Sequence, residues 1–148
     1  MNILYAELND LQEILELQYL AYQSEARLFK NKDIPPLKET LDELTEEFNN
    51  GVIFKMTIDG RIIGSVRAYE LQGTVCIGKL MVHPDYRRRG YGSMLLKAVE
   101  KSFPGMRYEL FTSTRSEDNI RLYEKSGYQI FKRRKINDEL EFVYLEKR

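Results

Sequence analysis

Hydrophobic and polar positions along this chain switch between two periods, and the switches mark the elements. Residues 1–6 form a short apolar run that reads as a strand. Asn9 and Asp10 then offer caps for a helix in which Leu11, Ile14, Leu15, Gln18 and Tyr22 recur at helical spacing. Residues 23–34 keep no clean period. Pro35-Pro36 next precede Leu37, Leu41, Leu44 and Phe48, spaced four, three and four apart, which predicts a second amphipathic helix stopped by Asn49-Asn50-Gly51.

From there the period shortens. Residues 52–58 are β-rich, Asp59-Gly60 is a two-residue hairpin signal, and 62–71 is the return strand. Gln72-Gly73 turns the chain into a third strand over 74–82. After His83-Pro84 comes the run Arg87-Arg88-Arg89-Gly90-Tyr91-Gly92-Ser93, followed by a helix carrying Leu95, Leu96, Val99 and Phe103 that ends at Pro104-Gly105. Residues 107–113 read as a strand. Ser116 or Asp118 can cap a short helix with Ile120, Leu122 and Tyr123, and 128–135 and 140–145 close the chain as a hairpin about Asn137-Asp138. The order β-α-α-β-β-β-α-β-α-β-β, without repeat or linker, predicts one domain over 1–148 of α/β (α+β) class.

Charge changes this picture only when divided. The 23 basic and 23 acidic side chains cancel, which excludes the strongly basic balance of a dedicated nucleic-acid binder. Residues 1–50, however, carry eleven acids against four bases, a balance of −7, so the remainder carries +7. One cysteine, Cys76, excludes an internal disulfide framework, and no segment has the length of a membrane span or the layout of a secretory signal. A cytoplasmic protein with no membrane partner is the expectation, and no Cys/His cluster suggests a metal.

The loop at 87–93 is the principal chemical feature. Glycines at 90 and 92 let backbone N–H groups converge, and the following helix aims its positive dipole end at the same place, so an anion site is expected. From Tyr86 to Val99 there are four bases and no acid, which suits a polyanionic phosphate ligand. Spacing excludes a dinucleotide fingerprint and a nucleoside-triphosphate loop.

The segment Val82-His83-Pro84-Asp85-Tyr86-Arg87-Arg88-Arg89-Gly90-Tyr91-Gly92 closely resembles the acetyl-CoA signature of the GNAT superfamily of N-acetyltransferases. The block from Asn119 to Tyr128, with Tyr123 and Gly127, resembles the second motif of that family. The resemblance implies a central mixed, mostly antiparallel sheet flanked by about four helices, and acetyl-CoA as co-substrate. It implies that the backbone of Leu80, Met81 and Val82 pairs with the pantetheine arm, and that Arg87, Arg88, Arg89, Gly90, Tyr91, Gly92 and Ser93 form the diphosphate loop. Asn119 is then expected at the cofactor arm and Tyr123 near the thioester sulfur. The acceptor groove falls to the first two helices, with Tyr19, Tyr22, Glu25 and Phe29, and to the hairpin at 137–141. Members of the family are often dimers, so a homodimer is a further expectation.

Transfer of acetyl from a thioester to an amine needs a neutral amine, a stabilised oxyanion and a proton for the departing thiolate. Tyr123, which as a bare sequence feature reads as helix core, takes the proton-donor role by resemblance. The base is where the chain departs from the pattern, because the position at which several members carry Glu is Cys76. Glu70, one strand earlier, is the nearest acid in sequence, and Glu25 is another option. Cys76 in an apolar strand reads as core more readily than as an acetyl-accepting nucleophile. His83 reads as shaping its turn, and Lys132-Arg133-Arg134-Lys135 as a solvated strand edge that discourages pairing.

The expected activity is direct transfer of acetyl from acetyl-CoA to the primary amine of a small molecule or peptide, with the acidic first third favouring a cationic acceptor. The alternative is a non-catalytic acyl-CoA sensor or interaction module of the same fold. No nucleic-acid partner is expected.

Overall fold

A computed structural model describes all 148 residues. Its centre is a seven-stranded sheet of β1 (Asn2–Tyr5), β2 (Val52–Ile58), β3 (Arg61–Leu71), β4 (Thr74–Val82), β5 (Arg107–Ser113), β6 (Gln129–Lys135) and β7 (Glu141–Lys147), in the order β1-β2-β3-β4-β5-β7-β6. Every neighbouring pair is antiparallel except β4 and β5. The helices are α1 (Leu11–Ala21), α2 (Gln23–Phe29), α3 (Leu41–Asn50), α4 (Tyr91–Ser102) and α5 (Glu117–Lys125). None is long and apolar enough to cross a membrane.

Strand alternation divides the core between the two faces. Phe54, Met56, Ile63, Val66, Val75 and Ile77 pack with Leu95, Leu96 and Val99 of α4 and Tyr123 of α5. Ile53, Ile62 and Met81 pack on the other face with Leu11, Ile14 and Leu15 of α1 and Leu44 of α3. The result is a three-layer α+β arrangement in which one-sided helices cover a two-sided sheet.

Two elements differ from the sequence reading. The aperiodic stretch after α1 contains a helix, α2, which buries Ala26 and joins α1 at Tyr22. The helix expected from Leu37 begins instead at Leu41. Thr40 accepts from the Glu43 amide while the Glu43 side chain accepts from the Thr40 amide, a capping box that fixes the start, and Pro35–Leu37 forms a separate 3₁₀ turn.

Candidate functional site

The site is built where the single parallel ladder fails. β4 pairs with β5 only from Thr74 to Cys76, opposite Arg107 to Glu109, and beyond that point the two strands part. The β4 strand is also bulged there. Ser65 faces Met81 and Arg67 faces Gly78, so Lys79 and Leu80 together oppose Val66, and Lys79 takes a left-handed φ of 50°. A bulge bends its strand, and this one sits beside the opening. No glycine marks it at Lys79, so the sequence carries no signal for it. Met81 and Val82 remain paired with β3 on one side, and their other edge has no strand partner.

The loop from β4 to α4 lies at the same end. His83 is buried, and its Nδ1 accepts from the Asp85 amide at 3.0 Å, fixing the turn that launches the loop. From Arg87 to Ser93 no backbone amide donates a hydrogen bond within the protein; the first bonded amide is that of Met94, on the Gly90 carbonyl at 3.2 Å. A run of free donors at the N-terminus of a twelve-residue helix is a site for an anion. The two glycines serve different ends. Gly90 has φ 80° and open space around it, so its glycine serves conformation, whereas a Cβ on Gly92 would meet the Leu122 side chain at 3.0 Å, so its glycine lets α4 sit close to α5 without moving Leu122.

The arginine side chains here are partly committed. Arg87 donates to the Ala21 carbonyl and the Ser24 hydroxyl, binding the loop to the junction of α1 and α2. Arg89 lies over the Tyr86 ring, 5.2 Å from its centroid, and Arg88 is exposed with φ 64°. Tyr91 packs against the core at the start of α4.

On the α5 side, Asn119 lies half-buried in the first turn, and Tyr123 is buried with its ring 6.3 Å from that of Tyr128. The Tyr123 hydroxyl has no hydrogen-bond partner, yet it is not among the fully buried unpaired groups, so it reaches an opening in the surface. Burial, then Tyr22 and Glu25, push this phenol well above its ordinary range. Burial and then Glu25 do the same to Tyr22. Three expected residues, Tyr22, Glu25 and Tyr123, thus share one electrostatic neighbourhood.

Glu25 is fixed within it by Ser116, whose hydroxyl donates to Oε1 at 2.5 Å. The neighbouring Arg115 donates to the Leu28 carbonyl at 3.3 Å and lies 5.2 Å from the Phe29 ring centroid. Ser116 and Arg115, which the sequence reading did not assign to the site, therefore bind α2 to the β5–α5 loop. The sequence signal for Ser116 pointed to a helix cap instead.

Two expectations are corrected. Glu70 is exposed and faces Val75 one position from the Leu71–Thr74 hairpin end, at the closed end of the ladder, while the strands part at the other end. It is remote from the opening as a proton acceptor. Cys76 is not core. Val75 and Ile77 take the buried face, and Cys76 turns to the opposite one, facing Tyr69 and Glu109 in register. Burial pushes its thiol above the ordinary range, which keeps it protonated and weakly nucleophilic.

Five of the eleven acids in the first third are taken up by structure. Asp10 pairs with Lys55, Glu13 accepts from the Ile62 amide, Glu43 completes the capping box, and Glu39 and Glu47 pair with buried Arg67. Glu25 is the acid placed against both phenols.

A model of the acetyltransferase (GNAT) family matches residues 8–128. Among curated proteins, the UPF0157 protein YqkA of Bacillus subtilis (strain 168) is 26% identical over 119 residues, covering 80% of this chain and 34% of that protein. The chain thus spans about a third of that relative's length. Among solved structures, the smu.2055 protein from Streptococcus mutans UA159 superposes with a TM-score of 0.85 at 18% identity, over 99% of this chain and 98% of the other. The ribosomal-protein-S18-alanine N-acetyltransferase from Escherichia coli gives 0.80 at 17%, over 99% and 92%. YncA, a putative acetyltransferase from Salmonella typhimurium solved with its cofactor acetyl-CoA, gives 0.75 at 15%, over 99% and 92%. At these identities the solved structures speak for the fold, which all of them share with this chain.

Proposed function

The chain belongs to the GNAT acetyltransferase family, and on that premise we propose that it moves an acetyl group from acetyl-CoA directly to a primary amine. What supports this reading is the run of free amides from Arg87 to Ser93, which follows the end of β4 that has lost its ladder with β5, together with the Tyr123 phenol, which has no hydrogen-bond partner and is held protonated. The free amides of residues 88–93 fit a diphosphate. The unpaired edge of Leu80, Met81 and Val82 fits an amide-bearing arm, and Asn119, half-buried in the first turn of α5, is assigned to that arm.

Acetyl-CoA supplies an acetyl group activated as a thioester. The chain's own residues then have separable tasks. Tyr123, held above its ordinary range, keeps its proton at every physiological pH and serves as a hydrogen-bond donor to the sulfur. Glu25 accepts the proton that the ammonium must lose before its nitrogen can attack. A carboxylate is a weak base for this purpose. The mismatch is smaller for an α-amine, with a pKa of about 7.7–8.0, than for a lysine or alkylamine near 10.4. The S18-alanine acetyltransferase of the same fold acts, by its name, on an alanine of a protein. A spermidine N-acetyltransferase chimera from Vibrio cholerae also shares the fold, so it is the basicity of the amine that favours a peptide or amino-acid α-amine over a polyamine.

The test is CoA thiol release from acetyl-CoA across a panel of peptides, amino acids, polyamines and aminoglycosides. Turnover with α-amines is expected. Binding of acetyl-CoA by calorimetry with no thiol release across the panel supports the sensor alternative instead, and absence of binding at high micromolar concentration overturns both.

A further inference from the structure

Ser116 stands at the N-cap position of α5, where a serine hydroxyl ordinarily accepts from an amide of the first turn. Here it makes no such bond. Its hydroxyl donates to Oε1 of Glu25, 91 positions away in sequence, while its carbonyl accepts from the Ile120 amide at 3.1 Å and its amide donates to the Ser113 carbonyl at 3.0 Å. Glu117 and Asp118 meet the helix dipole in its place. Ser116 is 5% exposed, so the hydroxyl is screened from water and has a defined direction. Oε2 of Glu25 has no partner in the protein.

We propose that Ser116 is a positioning residue for the acceptor's proton: it occupies Oε1 of Glu25 so that Oε2 is presented to the ammonium between Tyr22 and Tyr123. In that step the ammonium N–H bond breaks, the proton passes to Oε2, and the electron pair stays on nitrogen. The inference rests on the reading of Glu25 as base.

Glu25 acts electrostatically on Tyr22 at the α1–α2 junction and on Tyr123 on α5, and both phenols stay neutral across the working range. Arg115 and Arg87 hold α2, the helix of Glu25, through the Leu28 carbonyl and the Ser24 hydroxyl. The Ser116 hydroxyl is a neutral donor that fixes one carboxyl oxygen of Glu25 and leaves the other free. Removing it frees the side chain to leave that direction.

The experiment measures kcat and amine KM in the full chain for the wild type and for Ser116→Ala, Ser116→Cys and Ser116→Thr, with the fastest amine of the thiol-release panel at saturating acetyl-CoA and thermal melts beside them. The expected result is a kcat about tenfold lower in the Ala and Cys variants with amine KM nearly unchanged, and kcat restored in Thr, whose hydroxyl can make the same bond. Wild-type kcat in the Ala and Cys variants overturns the proposal, as does a loss that Thr does not restore while all three melt like the wild type. Wild-type kcat/KM in Glu25→Gln overturns instead the assignment of Glu25 as base.

Discussion

The Arg87 guanidinium donates to the Ala21 carbonyl at 2.8 Å, so the loop with the free amides and the last turn of α1 are held together by one side chain. A second arm of the same guanidinium reaches the Ser24 hydroxyl at 3.2 Å. The wall that carries Tyr22 and Glu25 is therefore registered against the loop before α4. Arg87→Ala is expected to raise the KM of the amine about fivefold, corresponding to about 1 kcal/mol for an exposed charged donor. Arg87→Lys keeps the charge but not the fork and is expected to recover little of the loss. Steady-state kinetics with varied amine at saturating acetyl-CoA measures this; an unchanged amine KM in Arg87→Ala would show that the junction does not depend on the loop.

Tyr123→Phe removes the free hydroxyl and keeps the ring in the core. It is expected to lower kcat by about 10²-fold, in the range for a positioned proton-donating group, with melting temperature nearly unchanged. The sign of the pH effect is specific. Because burial and the neighbouring Tyr22 and Glu25 raise the phenol above its usual range, it stays protonated as pH rises, and wild-type kcat is expected to show no Tyr123-linked loss up to about pH 10. A pH–rate profile for both proteins decides the point. Equal kcat values would remove Tyr123 from the chemistry.

Gly90 and Gly92 separate two reasons for a glycine. At Gly90 the backbone has φ 80° and nothing surrounds the missing Cβ, so Gly90→Ala is expected to cost about 1 kcal/mol through strain and to weaken CoA binding by tilting the free amides. At Gly92 the conformation is helical and the obstacle is Leu122, so Gly92→Ala combined with Leu122→Ala should tolerate the methyl better than Gly92→Ala alone. Calorimetric titration with CoA and thermal melts measure both. A melt of Gly90→Ala equal to the wild type would show that this loop relaxes without strain.

The readable parts of this molecule are those whose cause is local. All seven strands follow from short apolar or β-rich runs bounded by turn residues, and the loop before α4 follows from glycines between a strand and a helix. The unread parts depend on distant partners. α2 buries only Ala26 and carries no apolar stripe; its partners are Arg87, Arg115 and Ser116, between 60 and 95 residues further along the chain. The β4 bulge places a lysine at positive φ where no glycine announces it. Glu70 was attractive through its nearness in sequence, and the antiparallel register carries it to the wrong end of the strand.

Asp10 gives a stability test independent of the site. Burial alone would raise its carboxyl, but the Lys55 ammonium at 2.8 Å and the Glu7 amide at 2.7 Å outweigh this and hold it below the ordinary carboxylate range. A depressed group contributes stability that is present above its unfolded value, about 3.9, and is lost as pH falls through the folded one. Asp10→Asn is therefore expected to cost about 1 kcal/mol at pH 7 and to lose that penalty as pH falls through the lowered folded value. Urea unfolding at several pH values measures it; a penalty that persists at low pH would assign the loss to packing.

Arg67 presents the opposite case, a buried cation whose removal strands its partners. Its guanidinium donates to Glu39, Glu47 and Gln18, and Gln18 and Tyr19 in turn hold the 34–40 segment through the carbonyls of Pro36 and Glu39. Burial and the neighbouring Glu39 raise the Glu47 carboxyl, whereas Glu47, then Arg67 and Gln18, hold Glu39 low against its own burial. Arg67→Met leaves two carboxylates facing each other with only the weaker field of Lys79 on Glu47. It is expected to cost about 3 kcal/mol at pH 8, the low end for a broken buried pair because Glu47 is partly exposed. Both carboxyls should then titrate above their unfolded values, so stability is fully present at low pH and is lost as pH rises through the raised folded values. The variant is thus expected to be more stable at pH 5 than at pH 8. Adding Glu39→Gln and Glu47→Gln should recover much of the loss and remove the pH dependence, as measured by urea unfolding at both values. If Arg67→Met is equally destabilised at pH 5 and pH 8, its loss comes from packing of the side chain, and water and Lys79 screen the two acids from each other.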